Sequence, residues 1–212
     1  MRKAYWLAAA VILASFAIGL YLYPQMPASM ASHWNAAGEV DGYMGRFWGL
    51  FMMPLMLGGL FLLFLAIPKI DPLKKNFEKF RNYYDWFVVI FVLFMFYIYL
   101  LTISWTLGYR FDMGLAIIPA IGFFFFYIGV LLEKAKRNWF VGIRTPWTLS
   151  SDRVWRNTHR IGSKMFKIAG VIAIAGAFLG KYAFYTILVP VLAITIYLIV
   201  YSYFDYQKEV KR

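Results

Sequence analysis

Apolar residues along the chain fall into six long stretches, and polar residues are concentrated in the segments between them. A helix rises about 1.5 Å per residue, so about twenty apolar residues cross the roughly 30 Å of hydrocarbon in a bilayer. The pattern therefore predicts an all-α membrane protein with six transmembrane helices. The predicted spans are 4–23, 47–67, 86–107, 113–132, 165–180 and 182–204, and the fifth is the shortest.

The composition agrees with a membrane protein. Of the 212 residues, 62% are hydrophobic and only 15% are charged, which leaves too little polar surface for a soluble domain of this length. The first span follows Arg2 and Lys3 in the manner of a secretion signal, but its apolar run is longer than such a signal has and no A-x-A cleavage site follows. We therefore expect this span to be retained as a transmembrane helix.

Basic residues are distributed unequally between the two sides of the predicted membrane. If the N-terminus lies inside, 19 of the 22 Lys and Arg residues lie on inner segments, and Arg46, Arg110 and Lys181 lie outside. The positive-inside rule then places both termini in the cytoplasm of a multi-pass cell-membrane protein. The net charge of +12 thus reflects topology and attraction to anionic lipid, and we expect no binding to nucleic acid.

The spans group into three parts. Residues 1–67 form an N-terminal hairpin of helices with an outer loop at 24–46, residues 68–132 form a central hairpin, and residues 133–212 hold a long inner loop, two helices and a basic tail. Small residues cluster in the fifth span, where they permit close contact between helices. These residues are Ala169, Gly170, Ala173, Ala175, Gly176 and Ala177.

Ionisable residues are missing from the middle of every predicted span. Coupled transporters and pumps usually carry such groups at depth, so the pattern argues against them. Pro54, Pro119 and Pro190 lie at a similar depth, about 10 Å below the outer surface, where each removes a backbone hydrogen bond. The alternatives are an outward-facing vestibule, as in a small-solute or lipid transporter, or ordinary tolerance of proline in membrane helices.

The outer loop combines an imidazole, carboxylates and glycines. Its stretch AAGEVDGY predicts a tight turn, because Gly and Asp-Gly accept positive φ. His33, Glu39 and Asp41 could converge on a divalent cation, but their spacing follows no rule for metal ligands, and we expect no metal. A folded loop is the better interpretation, with Trp34 and Tyr43 at the membrane interface. His33 and Asp41 would then hydrogen-bond the turn.

The longest inner loop, residues 133–164, carries the most distinctive chemistry of the chain. It contains GIRTPWTL, in which a glycine and a proline predict an irregular but ordered turn. Ser150 and Ser151 then predict the N-cap of a helix that runs for about three turns and ends near Gly162. We expect this short interfacial helix to lie in the lipid headgroup layer.

The short helix would present Trp155 and His159 as one stripe and Arg156 and Arg160 as the next, because residues four apart share a face. One interpretation is that the arginines bind lipid phosphate and the tryptophans anchor the loop. The other is a polar pocket that caps the inner end of the bundle. Its predicted members are Asn138, Arg144, Thr145, Trp147, Thr148 and His159. A single histidine without a placed nucleophile or paired carboxylates gives no catalytic set, so we expect neither an enzyme nor a cofactor.

Two stretches resemble a known family. NWFVGIRTPWTL followed by VWRNTHRIG resembles the signature of the SdpI family of bacterial membrane proteins, and PASMASHWNAAGEVDGY resembles the domain of unknown function that often precedes it. The inner stretch matches at Asn138, Gly142, Arg144, Thr145, Pro146, Trp147, Thr148, Trp155, Thr158, His159, Arg160 and Gly162. The outer stretch matches at Pro27, His33, Asn35, Gly38, Asp41, Gly42 and Tyr43.

The resemblance implies immunity against a secreted toxin peptide, as in the namesake of the family. It also implies sequestration of a small transcriptional repressor at the inner face when the toxin is present. We therefore expect the outer residues to meet an amphipathic peptide and the inner residues to relay the signal or dock a cytoplasmic partner.

Overall fold

The computed structural model describes residues 2–35 and 38–211, apart from the side chain of Lys181. Six of the described helices are long and apolar enough to cross a membrane, which confirms the all-α membrane fold. Two short helices, two 3-10 segments and a two-stranded hairpin complete the described chain. The helices are α1 (Lys3–Leu22), α2 (Arg46–Ile70), α3 (Lys74–Glu78), α4 (Arg81–Thr106), α5 (Met113–Lys134), α6 (Pro146–Ser150), α7 (Asp152–Gly176) and α8 (Tyr185–Val210); the strands are β1 (Ser29–Trp34) and β2 (Val40–Gly45).

The helix that begins after Ser151 is longer than the sequence predicts. Ser151 is its N-cap, as expected, and accepts a hydrogen bond from the N–H of Val154 at 3.2 Å. The predicted end near Gly162 is wrong, because α7 continues without interruption to Gly176. Gly162 serves packing rather than termination, since an added Cβ would lie 2.5 Å from Ile143 Cδ1. The predicted short helix and the fifth span are therefore one element.

The outer loop forms an antiparallel β-hairpin, where the sequence predicts a turn without strands. Residues 36 and 37, part of the predicted turn, lie outside the described residues. Gly38 has a φ of 81°, in the region that favours glycine. His33 Nδ1 hydrogen-bonds Asp41 Oδ1 and thereby joins the two strands. Gly42 pairs with His33, and an added Cβ there would lie 2.9 Å from His33 Cβ, so the hairpin requires a glycine at this position.

Close contact between α5 and α7 builds the second half of the bundle. An added Cβ on Gly122 would lie 2.6 Å from the carbonyl oxygen of Gly170, and one on Gly129 would lie 2.7 Å from that of Ser163. The two backbones therefore approach as closely as the small residues of the fifth span predict. Of those residues Ala175 is exposed, and the buried ones are Ala169, Gly170, Ala173, Gly176 and Ala177.

The two polar motifs lie at opposite ends of the bundle. Trp155 belongs to a buried cluster with Tyr5 and Phe77, which lie at the beginning of α1 and just before α4. Trp34 packs instead on Trp105, in the last turn of α4, with ring centroids 5.7 Å apart. The inner loop thus shares its end of the bundle with the start of the chain. Which end faces the cytoplasm stays a prediction from the charges.

The three prolines that the sequence analysis places at a similar depth lie inside helices, as predicted. Pro54, Pro119 and Pro190 belong to α2, α5 and α8. Four cavities at the hairpin end of the described chain are lined mainly by apolar side chains, and none of these prolines is among their lining residues. These cavities therefore give the transporter alternative no support.

Candidate functional site

Asn138 organises the start of the inner loop. Its side chain is fully buried. The amide oxygen accepts from the N–H groups of Phe140 and Val141, at 2.9 and 2.6 Å. The amide nitrogen donates to the carbonyls of Lys136 and Val141, both at 2.8 Å. All four hydrogen-bonding positions of this amide are thus used within the loop itself, so Asn138 shapes the turn.

Gly142 and His159 meet where the loop folds back over α7. His159 Nε2 accepts from the N–H of Ile143 at 3.0 Å, and His159 Nδ1 donates to the carbonyl of Trp155 at 2.9 Å, so the imidazole is neutral. The ring also stacks on Trp155, with centroids 3.9 Å apart, and both side chains are buried. The predicted display of this aromatic stripe to the headgroup layer is therefore wrong, because the loop covers it. Gly142 permits the fold-back: its φ is 115°, and an added Cβ would lie 2.4 Å from His159 Nε2.

Thr145 and Thr148 begin α6 with a capping box. Thr145 Oγ1 accepts from the N–H of Thr148 at 3.1 Å, and Thr148 Oγ1 accepts from the N–H of Thr145 at 2.9 Å. Pro146 occupies the first helical position, where a missing N–H removes no helical bond. Thr148 is fully buried and donates to the carbonyl of Ile143 at 2.8 Å. TPWT is thus a rigid helix start. We call residues 138–151 the elbow.

Replacing Thr148 by valine is expected to lower the free energy of unfolding by about 1–3 kcal/mol. Valine has nearly the same shape, but it leaves the N–H of Thr145 and the carbonyl of Ile143 without their partner at a buried position. The measurement is the thermal melting of detergent-purified protein. Ser150→Ala is the matched control, since exposed Ser150 donates to Pro146 within the same short helix. Equal melting temperatures for the two variants would contradict the role of the capping box.

The elbow docks on the last turns of α8. Thr145 Oγ1 lies 3.1 Å from Ser202 Oγ, in a buried contact. The ring of Trp147 packs at a steep angle on Tyr203, with centroids 5.1 Å apart. These contacts hold α6 against α8 and leave part of the Trp147 ring accessible.

Two acidic residues of α8 fix the beginning of α7. Arg153 donates to the carboxylate of Asp205 at 3.1 Å and to its backbone carbonyl at 2.7 Å. Asn157 Nδ2 donates to the same carboxylate at 3.0 Å, and Ser151 Oγ donates to Glu209 Oε2 at 2.6 Å. The sequence analysis missed both acids. They are two of only ten acidic residues in a strongly basic chain, and that rarity is the signal that could have identified them.

The elbow also contacts the connection between α2 and α4. Buried Asp71 accepts the N–H of Trp139 at 2.9 Å, and Asn76 Nδ2 donates to the carbonyl of Arg137 at 3.1 Å. Arg144 closes the loop from the other side, donating to the carbonyl of Trp139 at 2.7 Å. The elbow is therefore held by three separate parts of the chain: this connection, α7 and α8.

The predicted inner residues converge, but they do not form an open polar pocket. Asn138, Thr145, Thr148 and His159 direct their polar atoms into the protein, as described above. Thr158 is also buried, and its hydroxyl has no hydrogen-bond partner among the described residues. The accessible part of the elbow is a surface. Its exposed residues are Trp139, Arg144, Pro146 and Ser150, and Trp147 is partly exposed; Arg156 and Arg160 are exposed on the neighbouring helix.

A basic cleft of about 250 Å³ lies beside the elbow. Its cationic lining consists of Lys79, Lys136, Arg137 and Arg156, and the only carboxylate among its lining residues is Asp152. Asp152 is already paired with Arg137 at 2.8 Å. The excess of positive charge makes this cleft suitable for an anionic headgroup.

The outer predicted residues form the hairpin at the other end. Asn35 and Glu39 close it, since Asn35 Oδ1 accepts from the N–H of Glu39 at 3.0 Å and Asn35 Nδ2 donates to the Glu39 carboxylate at 3.2 Å. Tyr43 is exposed, whereas Trp34 is half-buried. Within residues 2–35 and 38–211, no three histidine or acidic side chains are grouped so as to hold a metal ion.

Asp85, near the start of α4, is a buried carboxylate to which the sequence analysis gave no role. Arg81 Nε donates to its Oδ1 at 2.9 Å, and Tyr5 Oη donates to the same oxygen at 2.5 Å. Arg2 Nε lies 2.6 Å from its other oxygen. This cluster ties α1 to α4 at the same end of the bundle as the elbow.

Fold and site together define a multi-pass membrane protein of six long helices, with an ordered elbow at one end and a β-hairpin at the other. The model of the SdpI/YfhL protein family matches residues 134–202, which contain the elbow, and the domain of unknown function DUF1648 matches residues 10–58, which contain the hairpin. The resemblance to the SdpI family that the two motifs indicate is therefore confirmed.

Among curated proteins, the chain is similar to Immunity protein SdpI of Bacillus subtilis (strain 168). The two are 25% identical over 199 residues, which is 93% of this chain and 93% of that protein. No solved structure matches the chain.

Proposed function

We propose that this chain is a membrane immunity protein that protects the cell from a secreted toxin peptide by binding rather than by catalysis. The observation that carries the proposal is the similarity to Immunity protein SdpI along nearly the whole of both chains. The matched family segments support it, because they contain the two ordered polar ends of the bundle. In this function the hairpin faces outward, where it meets the peptide.

The elbow would then face the cytoplasm together with both termini, since 19 of the 22 Lys and Arg residues lie on that side. Its accessible surface at Arg144, Pro146 and Trp147 would dock a cytoplasmic partner such as a repressor. The helix α7 supports this role, because it runs without interruption from the elbow towards the hairpin end. A change at the hairpin end that shifts α7 against α8 would therefore move the docking surface. The adjacent basic cleft would hold anionic lipid.

Survival of toxin-exposed cells tests the proposal. The chain is expressed in a B. subtilis strain that lacks Immunity protein SdpI and is exposed to the toxin peptide purified from the medium of toxin-secreting cells. We expect the wild-type chain to restore survival and Trp147→Ala or Arg144→Ala to reduce it at least about tenfold. A central anchor residue of a binding surface typically contributes 1.4 kcal/mol or more, which is about a factor of ten.

Trp86→Ala and Lys75→Ala are the controls. Both residues are exposed, and they lie outside the elbow and outside the basic cleft. Membrane levels and melting temperatures are measured for all four variants, so that loss of protein is separated from loss of function. A wild-type chain that leaves survival unchanged would refute the immunity function. Full survival with Trp147→Ala and Arg144→Ala at normal protein levels would refute the role of the elbow alone.

A further inference from the structure

The hairpin covers two cavities that share a wall. One, of about 300 Å³, lies between the hairpin, the beginning of α5 and the segment that follows α7. The other, of about 280 Å³, lies between the hairpin, α2 and α4. Trp34 and Ile117 line both cavities, so Trp34 stands between them. The first cavity is lined by residues of both matched family segments, with Trp34 from one segment and Ala183 from the other.

The indole N–H of Trp34 is in an unusual environment for a hydrogen-bond donor. Its indole nitrogen is buried, and the N–H has no hydrogen-bond acceptor in the part of the chain that the structure describes. The ring itself is fixed by its edge-to-face contact with Trp105. A buried N–H without an acceptor is unfavourable, so native structures keep few of them, and functional sites account for some. This donor is therefore a candidate contact for a ligand acceptor.

The walls on the two sides of Trp34 differ in chemistry. The cavity against α2 is lined by Met44, Met52 and Met53, and methionine side chains adapt to apolar partners of varied shape. The cavity against α5 has five branched aliphatic side chains in its lining, and the carboxylate of Asp112 is among its lining groups. Asp112 is exposed and caps α5 by accepting from the N–H of Leu115 at 2.9 Å. The region thus offers apolar volume on both sides of one buried donor, with an acceptor nearby.

We propose that an apolar segment of the secreted toxin peptide binds across Trp34. A backbone carbonyl of the peptide accepts the indole N–H, and apolar side chains on either side of that carbonyl occupy the two cavities. The chemistry matches a peptide, because one peptide backbone supplies both a donor for Asp112 and an acceptor for Trp34. This inference rests on the proposed immunity function and identifies where the toxin peptide binds.

Trp34→Phe is the first test. Phenylalanine keeps an aromatic ring against Trp105 and removes the N–H, which has no acceptor among the described residues, so no hydrogen bond within residues 2–35 and 38–211 is lost. We expect an unchanged melting temperature and a loss of binding of several-fold to about tenfold for the purified toxin peptide, with a matching drop in survival. Trp86→Phe is the control, since exposed Trp86 lines neither cavity.

Filling the cavities is the second test. Met52 and Leu115 each line one cavity and are partly accessible, so Met52→Trp and Leu115→Trp are expected to fold and to reduce protection. Leu62→Trp, at an exposed position of α2 away from both cavities, is the control. Because the chain has no cysteine, Ile117→Cys can be labelled selectively with a benzophenone, and mass spectrometry then identifies what it crosslinks.

A toxin-peptide adduct at position 117, together with weakened protection by Trp34→Phe and the two filling variants, would support the inference. A phospholipid adduct without peptide would overturn it. Full protection by Trp34→Phe and by both filling variants would also overturn it, while the immunity function would stand. If the wild-type chain itself fails to protect cells, the immunity function fails and the peptide site fails with it.

Discussion

Replacing Gly142 by alanine is expected to lower the free energy of unfolding by about 3–5 kcal/mol. Two effects add. Alanine is strained at a φ of 115°, and its Cβ would lie 2.4 Å from His159 Nε2 and 3.3 Å from the ring of Trp155. The loop must then lift from α7, and the hydrogen bond between the N–H of Ile143 and His159 Nε2 is lost. Thermal melting of the detergent-purified protein measures the change.

Gly108→Ala separates the two effects. Gly108 has a φ of 103°, close to that of Gly142, but an added Cβ there would meet nothing within 4 Å. The control therefore reports backbone strain alone, and we expect it to lower the free energy of unfolding by about 1–2 kcal/mol. If both variants melt at the same temperature, the contact with His159 contributes nothing and the fold-back of the elbow depends only on backbone conformation.

This pair of glycines illustrates what the sequence can and cannot predict. Gly142 and Pro146, four residues apart, predict a break in the helix and an ordered turn, and Ser151 is correctly predicted as an N-cap. The six spans are predicted for a similar physical reason, because hydropathy over twenty residues is a local property. Gly162 was misread, because a glycine near a helix end resembles a terminator. Its actual constraint, contact with Ile143, is visible only once the loop has folded back.

The hairpin escaped prediction because its strands carry little local signal. SMASHW and VDGYMG lack a clear alternation of apolar and polar residues, and Asp41-Gly42 looks like a turn. Both residues lie in β2 instead, where the Asp41 carboxylate hydrogen-bonds the His33 ring. The pairing depends on contacts across the hairpin and with α4, including the packing of Trp34 on Trp105. No sequence window contains those contacts.

Long-range ion pairs were missed for a related reason. The Arg153–Asp205 pair joins residues 52 positions apart, and neither residue belongs to a recognisable motif. Composition still holds a usable clue. In a basic, apolar chain with only ten acidic residues, each acid at a helix end needs a partner, and several such acids cross-link the elbow end of the bundle. The candidate site could thus be located from its motif, whereas the distant acidic residues that hold it in place could not.

Asp85→Asn is expected to lower the free energy of unfolding by about 2–4 kcal/mol. The carboxylate is almost fully buried and takes hydrogen bonds from Tyr5 and Arg81, with Arg2 paired to its second oxygen. Asparagine has the same shape but no charge, and its NH₂ group would face donors rather than acceptors. The attachment of α1 to α4 would loosen as a result, and unfolding in mixed detergent–denaturant micelles measures the loss.

Glu78→Gln is the matched control for this carboxylate, because Glu78 pairs with the same Arg81 at 2.9 Å. The Glu78 side chain is 60% exposed, against 2% for Asp85, so water replaces most of what the Glu78 pair contributes. We expect a change of about 0–1 kcal/mol. Equal losses in the two variants would mean that burial does not make the contacts of Asp85 more stabilising than the exposed pair of Glu78. A much larger loss for Asp85→Asn would mean that the start of α1 is fixed from α4, at the same end of the bundle where α8 fixes the elbow.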